Sequence, residues 1–573
     1  MAKAALTYQK LRGGYYTPKP IANFLARWAI QSSRDEILEP SCGNGVVLGA
    51  GLETLIDRGA SRLEASRLIH GVEIDRQEAA AALARIEVMC GYANPTIIKT
   101  DDFFSYCKAH LNDKRLFDVV IGNPPFIRYQ NFLEEQRVPA FELMTKAGMR
   151  PSRLTNTWVP FLVASSFLLN SHGRLAMVIP AELLQVNYAA ELRLFLSNYY
   201  NKLTLVTFRK LVFEGIQQEV VLLLAERNGG GQTGIRTIEL DTIDDLASYQ
   251  HTDFVKSELK PMDHSKEKWT QYFLNKSQIG LLRELEDHPK LIRIGDILDV
   301  DVGVVTGQND FFVLDAKETK CLALQRYTKR IVSRSAHLKG LIFSERDWQK
   351  NADDNLPALL LDLPDVPFDK LTIKAQHYVT SGERRQLHTG FKCRIRKNWY
   401  KVPSVWIPDA FLLRQIHGYP KLILNQAQAT STDTIHRVKL RNGTNAREVA
   451  AAFLNSLTFA FSEVLGRSYG GGVLELEPNE AEQLPIPLRR ADSLDIKELH
   501  ALIIKDDVNS VLDITDHILL IKGLGLSKKD ARSLRVIWQK LRDRRINRKH
   551  SRKKLAPLLA LKSGSPSQLL LPD

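Results

Sequence analysis

Short apolar strands alternate with helical patterns through residues 1–228 of this 573-residue chain. Seven strand-like segments are bounded mostly by glycine, proline, asparagine or aspartate, and several are rich in β-branched residues. These segments are 37–40, 68–75, 96–99, 117–125, 174–180, 203–208 and 219–226. Strands that alternate with helices form a mostly parallel sheet with helices on both faces. The sequence therefore predicts an α/β fold built on a doubly wound, seven-stranded sheet.

The pattern of the chain changes after about residue 240. Strand-like pieces such as 298–305 and 419–425 mix irregularly with helices, which is typical of an α+β region. A glycine-rich segment at 228–234 marks the predicted boundary. We expect a sheet domain, an α+β domain and a basic helical C-terminal segment, at 1–235, 236–494 and 495–573.

Positive charge is concentrated at the C-terminus. The last 53 residues hold 15 Lys and Arg against 3 Asp, so they contribute +12 of the formal net charge of +14. A basic segment with a helical pattern can form phosphate contacts that release counterions. Charge alone therefore favours a nucleic-acid partner over a merely solvated helix and tail.

Cysteine spacing and hydropathy exclude several classes of protein. The five cysteines are scattered, with no Cys-x-x-Cys pair, which predicts a reducing compartment and neither a disulfide framework nor a zinc ribbon. No apolar run reaches the roughly 18–20 residues of a membrane span, and the N-terminal segment lacks a signal-peptide pattern. We expect a cytoplasmic protein with no metal and no membrane.

Three segments at successive strand ends favour a ligand that contains adenosine. The glycine turn at 39–45 lies between a strand and a helix, where backbone can approach a ligand closely. Glu73, at the end of the second strand, can hold ribose hydroxyls. After the third strand, Asp102 can accept from an adenine amino group and Phe103 can stack on the ring. Glu73 lies 28 residues after Gly45 and the third glycine of a dinucleotide motif is missing, so a nicotinamide cofactor is less favoured.

The segment Asn-Pro-Pro-Phe at 123–126, directly after the fourth strand, is the most specific signal in the chain. It should arise by chance about once in 10⁵ positions. Two consecutive prolines impose a rigid, extended turn. That turn can present the side-chain oxygen of Asn123 and the carbonyl of Pro124 as two acceptors, with Phe126 as a flat face beside them. Two acceptors and a stacking face match a planar, conjugated amine.

The order of these features resembles class I S-adenosylmethionine-dependent methyltransferases. Among them it is most similar to the gamma-class adenine-N6 DNA methyltransferases of restriction–modification systems. Tyr-Tyr-Thr-Pro at 15–18 resembles the extra cofactor motif of that class, which precedes the glycine turn, and 122–130 resembles its catalytic motif. Other segments resemble later motifs of the catalytic domain and stretches of the target-recognition region, namely 173–180, 212–221, 302–314 and 467–486.

The resemblance implies an enzyme that transfers a methyl group from S-adenosylmethionine to N6 of an adenine flipped out of duplex DNA. The catalytic residues that it implies are Asn123, Pro124, Phe126 and Phe213. The cofactor contacts that it implies are Thr17, Glu39, Gly43, Gly45, Glu73, Asp102, Phe103 and Asn123. Basic and aromatic residues beside the catalytic motif and in the recognition region are expected to contact DNA, namely Arg128, Tyr129, Arg394, Arg396, Tyr469, Arg544 and Arg545.

The expected partner is double-stranded DNA, bound by a monomer, and a separate cognate restriction endonuclease is a further candidate partner. Residues 127–157 are expected to form a long polar connection near the DNA. Three alternatives stay open at this point: an RNA adenine methyltransferase, a protein-glutamine methyltransferase and a catalytically silent DNA-binding subunit.

Overall fold

The computed structural model describes residues 16–547, without 92, 93, 95, 211, 213–218, 228–232, 250, 266, 442, 470 and the side chains of 251, 252, 255 and 469. The described residues form two compact units, one ending at Lys276 and one running from Ser277 to Ile546. The division falls later than the predicted boundary at 235, because the strand that follows this boundary belongs to the sheet of the first unit. Residues 495–546, predicted to start a third domain, belong to the second unit.

One large sheet forms the centre of the first unit. Its strands are β1 Ile37–Glu39, β2 Ile69–Glu73, β3 Ile98–Thr100, β4 Phe117–Gly122, β5 Leu169–Pro180, β6 Lys202–Phe208, β7 Val220–Glu226 and β8 Gly234–Leu240. Their order is β3-β2-β1-β4-β5-β7-β6-β8. Every neighbouring pair is parallel except those of β7, which runs antiparallel to β5 and β6. The doubly wound α/β sheet is therefore confirmed, with all seven predicted strands and one more, β8, whose Ile235 and Ile238 are buried.

Helices precede, connect and follow these strands. They are α1 Lys19–Ala29, α2 Val46–Asp57, α3 Arg62–Leu68, α4 Arg76–Cys90, α5 Phe103–Asn112, α6 Glu134–Lys146, α7 Trp158–Phe167, α8 Ala190–Tyr199 and α9 His251–Lys256. Apolar side chains such as Leu25 of α1 and Leu48 of α2 are fully buried in one core cluster with Val119 of β4. This burial of strands within the sheet explains why they read as continuous apolar runs in the sequence.

The stretch at 127–157, expected to be a long polar connection, contains helix α6, and its expected position near the DNA stays a prediction. The helix buries Ala140, Leu143 and Met144 although Pro139 lies inside it. Phe132, just before the helix, is also buried and lies beside Phe104 with ring centroids 6.0 Å apart. The segment is therefore packed against the rest of the first unit.

The second unit is α+β, as predicted, with several small sheets. Its strands are β9 Ile292–Arg293, β10 Leu298–Asp301, β11 Val313–Leu314, β12 Thr328–Val332, β13 Ile342–Phe343, β14 Leu359–Leu361, β15 Ala410–Leu413, β16 Gln415–Ile416, β17 Leu422–Asn425, β18 Thr430–Ser431, β19 Ile435–Leu440, β20 Arg467–Tyr469, β21 Val473–Glu475 and β22 Pro485–Ile486. The largest sheet has the order β10-β19-β15-β17-β13, and a second has the order β11-β14-β12-β18. The hairpin β20–β21 pairs with β16, and β22 pairs with β9.

The helices of the second unit include a run at its C-terminal end. They are α10 Lys276–Glu286, α11 Ile294–Ile297, α12 Asn309–Phe312, α13 Ala316–Cys321, α14 Glu345–Asp353, α15 Ile373–Arg384, α16 Phe391–Arg394, α17 Ala446–Ala452, α18 Ser456–Leu465, α19 Pro478–Glu482, α20 Ile496–Ile504, α21 Val508–Thr515 and α22 Lys528–Asn547, with a π-helix at Asp516–Leu524. Across the described residues no single helix has the length and apolar composition of a membrane span, and α17 and α18 reach them only as a pair bent by 76°.

Candidate active site

The glycine turn after β1 is attached to the end of β2. The backbone N–H of Gly43 donates to a side-chain oxygen of Glu73 at 2.9 Å, and the N–H of Cys42 donates to the carbonyl of Val72 at 2.9 Å. Gly45 has φ +77°, and a Cβ there would lie 3.0 Å from the Cβ of Ala82. A side chain at this position would therefore be both strained and crowded. These contacts place the turn at the carboxyl edge of the sheet, as predicted for a ligand site.

Two buried carboxylates lie at this edge. Glu39 is only 2% exposed, and its Oε2 has no hydrogen-bond partner among the residues that the structure describes. Burial raises the pKa of Glu39 well above its ordinary value, and the nearby negative charge of Glu73 adds to this effect. Burial also raises the pKa of Glu73. A buried carboxylate with an unsatisfied oxygen is unfavourable unless a ligand supplies a donor.

The end of β3 lies directly beside the end of β2. The N–H of Asp101 donates to the carbonyl of Glu73 at 3.1 Å. Asp102 caps the N-terminus of helix α5, where its carboxylate accepts from the N–H of Ser105 at 3.0 Å, while burial raises its pKa. Phe103 is buried and its ring stacks on that of Phe161, with centroids 5.0 Å apart. Its predicted stacking on a cofactor ring stays a prediction, with one face of the ring already covered.

The N-terminal segment that contains Thr17 is anchored to helix α4. The hydroxyl of Tyr16 donates to Glu78 at 2.7 Å. Glu78 lies in the first turn of α4, which Asp75 caps through the N–H groups of Gln77 and Glu78. Thr17 itself is buried. The hydrogen bond of Tyr16 therefore holds this segment next to α4, the helix that follows β2 and Glu73.

The Asn-Pro-Pro-Phe loop follows β4 and is held by two hydroxyl groups. Ser41, in the glycine turn, donates to the backbone carbonyl of Asn123 at 3.2 Å. Thr157 donates to the carbonyl of Pro125 at 2.5 Å and accepts from the N–H of Ile127 at 3.0 Å. These bonds engage the peptide groups on both sides of the Pro124 carbonyl, so they restrict the direction in which that carbonyl points.

Side chains of the loop differ in burial. Pro124 is buried, whereas Asn123 and Phe126 are half-buried, and Phe126 packs against the edge of the apolar core. Phe213, predicted to cover the opposite face of a bound base, lies outside the described residues, and its role stays a prediction.

Most of the predicted cofactor residues therefore meet at one edge. Because β3, β2, β1 and β4 are parallel neighbours, their carboxyl ends bring together Asp102, Glu73, Glu39, Gly43, Gly45 and Asn123. The edge is rich in acceptor oxygens and lies next to a rigid loop. Such an arrangement can bind a ligand that carries several donor groups and can present acceptors to an amine.

The residues predicted to contact DNA differ in their exposure to solvent. Arg128 is exposed, and so is Arg394, whose guanidinium lies 5.9 Å from the ring centroid of Phe391. Tyr129 is half-buried and packs under the guanidinium of Arg137, 5.0 Å from its ring centroid. Arg544 is half-buried, and the side chain of Tyr469 is outside the described set.

Arg545 and Arg396 both bind groups within the protein. Arg545 is 2% exposed, donates to Glu463 at 2.6 and 3.1 Å and donates to the carbonyl of Gly472 at 2.6 Å. Its predicted DNA contact is wrong because the guanidinium is buried in an ion pair. Arg396 is half-buried and donates to the carbonyls of Val305 and Thr306 at 2.9 and 2.7 Å, and its DNA contact stays a prediction.

Ser41 and Thr157 were not predicted as site residues. Ser41 lies within the glycine turn, and Thr157 directly precedes the apolar helix α7. A threonine directly before a helix is typical of a helix N-cap. Its contact with a loop about 30 residues earlier becomes visible only once the fold is known.

Comparison with known proteins identifies the family. Residues 1–308 match the model of the family described as N-6 DNA Methylase, and residues 266–520 match that of the C-terminal domain of the Type II methyltransferase M.Eco57I. The chain is 21% identical over 500 residues to the Type II methyltransferase M.AccI of Acinetobacter calcoaceticus, covering 83% of this chain and 85% of that one. It is 23% identical over 492 residues to M.XamI of Xanthomonas campestris pv. amaranthicola, with the same two coverages.

A solved structure supports the fold. That of the Type IIL restriction-modification enzyme MmeI, determined in complex with DNA, aligns with a TM-score of 0.53 at 12% identity, covering 92% of this chain and 75% of MmeI. The family match covers more than half of the chain, so the chain belongs to the N-6 DNA methylase family. It is a DNA methyltransferase specific for adenine N6, and the predicted enzyme class is confirmed.

Proposed function

We propose that this chain is the modification enzyme of a restriction–modification system and takes its methyl group from S-adenosylmethionine. The acceptor is N6 of an adenine rotated out of duplex DNA. One observation carries this proposal: the Asn-Pro-Pro-Phe loop is hydrogen-bonded to the glycine turn, beside the buried and unsatisfied carboxylate of Glu39. The Type II names of relatives that span most of the chain support its place in such a system.

The acceptor-rich edge of the sheet suits this cofactor. S-adenosylmethionine carries an ammonium group, two ribose hydroxyls and an adenine amino group, which are all donors. Glu73 would hold the ribose hydroxyls and Asp102 the adenine, as their positions at the strand ends suggest. Glu39 and the glycine turn would surround the methionine part, together with Thr17. When bound, the cofactor supplies an electrophilic methyl group on its sulfonium.

The loop supplies the other half of the chemistry. The amino lone pair of adenine is delocalised into the ring, so N6 is a weak nucleophile. Acceptance of its two hydrogens by the Asn123 side chain and the Pro124 carbonyl would favour a pyramidal nitrogen. The same oxygens would stabilise the positive charge that develops on nitrogen, at no cost in reorganisation. Phe126 would stack on one face of the base, and Phe213 would cover the other.

The target base must leave the duplex because its N6 is otherwise paired and stacked. Extrusion costs a few kcal/mol, which contacts in the pocket offset. The second unit would read the DNA sequence through side chains at base edges and would set the register through phosphate contacts. Exposed Arg394 is a candidate for such a contact. A separate cognate endonuclease would cut the same sequence when it is unmethylated.

The cofactor assignment predicts an unusual effect of Glu39→Gln. Removing a buried, unsatisfied charge should stabilise the ligand-free protein by about 1–3 kcal/mol above neutral pH. The pKa of Glu39 is raised on folding, so the stability of the unchanged protein falls as pH rises from the ordinary value of 4.5 toward the raised one. The stability advantage of Glu39→Gln should therefore be near zero at low pH and grow with pH. Thermal unfolding across this range, with exposed Glu53→Gln as the matched control, measures it.

Glu39→Gln should weaken binding of the cofactor although it stabilises the ligand-free protein. The same variant should bind S-adenosylmethionine about 10-fold or more weakly by calorimetry, because a charge-assisted hydrogen bond is lost. A Glu39→Gln protein that is less stable than its parent at every pH, or that binds the cofactor as tightly, would contradict this assignment.

A further inference from the structure

We propose that Thr157 is a positioning residue for methyl transfer, which holds the Asn-Pro-Pro-Phe loop in its productive conformation. The inference rests on the proposed function of that loop. It goes further by assigning a role to a residue outside every recognised motif.

The loop has few groups by which it can be held. Neither Pro124 nor Pro125 has a backbone N–H, so carbonyl oxygens must serve as the points of attachment there. Thr157 uses its hydroxyl on both sides of Phe126, donating to the carbonyl of Pro125 at 2.5 Å and accepting from the N–H of Ile127 at 3.0 Å. Its backbone N–H also donates to the carbonyl of Ile127 at 3.0 Å. One residue therefore brackets the aromatic residue of the loop.

The side-chain hydroxyl of Thr157 does not cap helix α7. Thr157 occupies the N-cap position of α7, where a threonine side chain ordinarily accepts from an N–H of the first turn. Its side chain makes no such bond. The residue is 1% exposed, so solvent is not the partner of the hydroxyl either. Since the hydroxyl of Thr157 does not cap the helix, its main structural contribution is its hydrogen bonds to the loop.

The site is also rigid on the side of Thr157. The next residue, Trp158, is fully buried, as are Val159 and Leu162 on the same helix. The hydroxyl is therefore carried by a packed helix, and its bonds transfer that rigidity to the loop. On the other side, Ser41 attaches Asn123 to the glycine turn. Small displacements of reacting groups can cost about 10²-fold in rate, so loss of the Thr157 bonds should affect the chemical step.

The test compares the isosteric Thr157→Val with Thr157→Ser, which keeps the hydroxyl. We expect Thr157→Val to lower kcat by about 10- to 100-fold, with thermal unfolding, the KM for DNA and affinity for S-adenosylhomocysteine close to those of the parent. Thr157→Ser should restore most of the rate. The substrate is long, unmodified duplex DNA from a host without adenine methylation, with S-adenosylmethionine at saturation.

Thr155→Val is the matched control. Thr155 is equally buried, at 2% exposure, and its hydroxyl accepts from Ser152 within its own turn, so kcat should not change. If Thr157→Val fails to fold, Thr157→Ala is measured against the same criteria. Parental kcat in Thr157→Val, an equally slow Thr157→Ser, or an equally slow Thr155→Val would overturn the inference. A parent protein that methylates no DNA would instead overturn the proposed function.

Discussion

Replacement of Asn123 by alanine is expected to abolish detectable methylation of DNA, lowering the rate by at least about 10²–10³-fold. The variant removes the side-chain oxygen that would accept from the adenine amino group and stabilise its developing charge. The backbone carbonyl of residue 123, which accepts from Ser41, is retained, so the loop should keep its attachment to the glycine turn. Affinity for S-adenosylmethionine should therefore change little.

Single-turnover methylation and calorimetric titration of the cofactor measure these two effects separately. Asn112→Ala is the matched control, because Asn112 is exposed at the end of α5, and it should show parental rates. A fully active Asn123→Ala protein would exclude the proposed mechanism. A variant that binds no cofactor would show that Asn123 acts mainly in building the cofactor site.

Replacement of Arg545 by methionine is expected to destabilise the protein by about 3–5 kcal/mol, because it leaves Glu463 buried and unpaired. The side chains of the two residues are 2% and 3% exposed. Glu463 lies on α18 and Arg545 on α22, so the pair joins two helices of the second unit. The guanidinium also donates to the carbonyl of Gly472, before β21.

Chemical denaturation of three variants isolates this effect. Arg532→Met, an exposed position on α22, removes the same charge and should change stability by no more than about 0.5 kcal/mol. The double variant Arg545→Met with Glu463→Leu should recover part of the loss, since no charge stays buried. Equal stabilities of Arg545→Met and Arg532→Met would show that the ion pair does not support the fold.

The sheet and the site were predictable because their signals are local in the sequence. Buried parallel strands read as short apolar runs, and the glycine turn and Asn-Pro-Pro-Phe each occupy a few consecutive residues. Their proximity followed from one rule, that the carboxyl ends of neighbouring parallel strands meet. The strand at 234–240 was not predicted, because it mixes apolar and polar residues and directly follows a glycine-rich segment.

Other features depend on partners distant in sequence. Helix α6 contains Pro139 and many polar residues, so its burial against neighbouring helices outweighs weak local signals. Arg545 belongs to a basic run whose pattern predicts a solvated, DNA-facing surface. Its ion-pair partner Glu463 lies 82 positions away in the sequence, so the pair is visible only in the fold. The contact of Thr157 with the Asn-Pro-Pro-Phe loop is equally non-local. Local motifs therefore predicted the candidate site, while the residues that support its loop became visible only in the tertiary structure.

We propose that the loop at 123–126 directs a methyl group from S-adenosylmethionine to N6 of adenine in duplex DNA. Nucleoside mass spectrometry tests it most directly, after purified protein is incubated with unmodified duplex DNA, RNA and a cofactor labelled with deuterium in its methyl group. We expect label on N6 of deoxyadenosine alone, and none in the Asn123→Ala reaction. Label on deoxycytidine or on a ribonucleoside in place of deoxyadenosine, or on no nucleoside at all, would exclude this role of the loop.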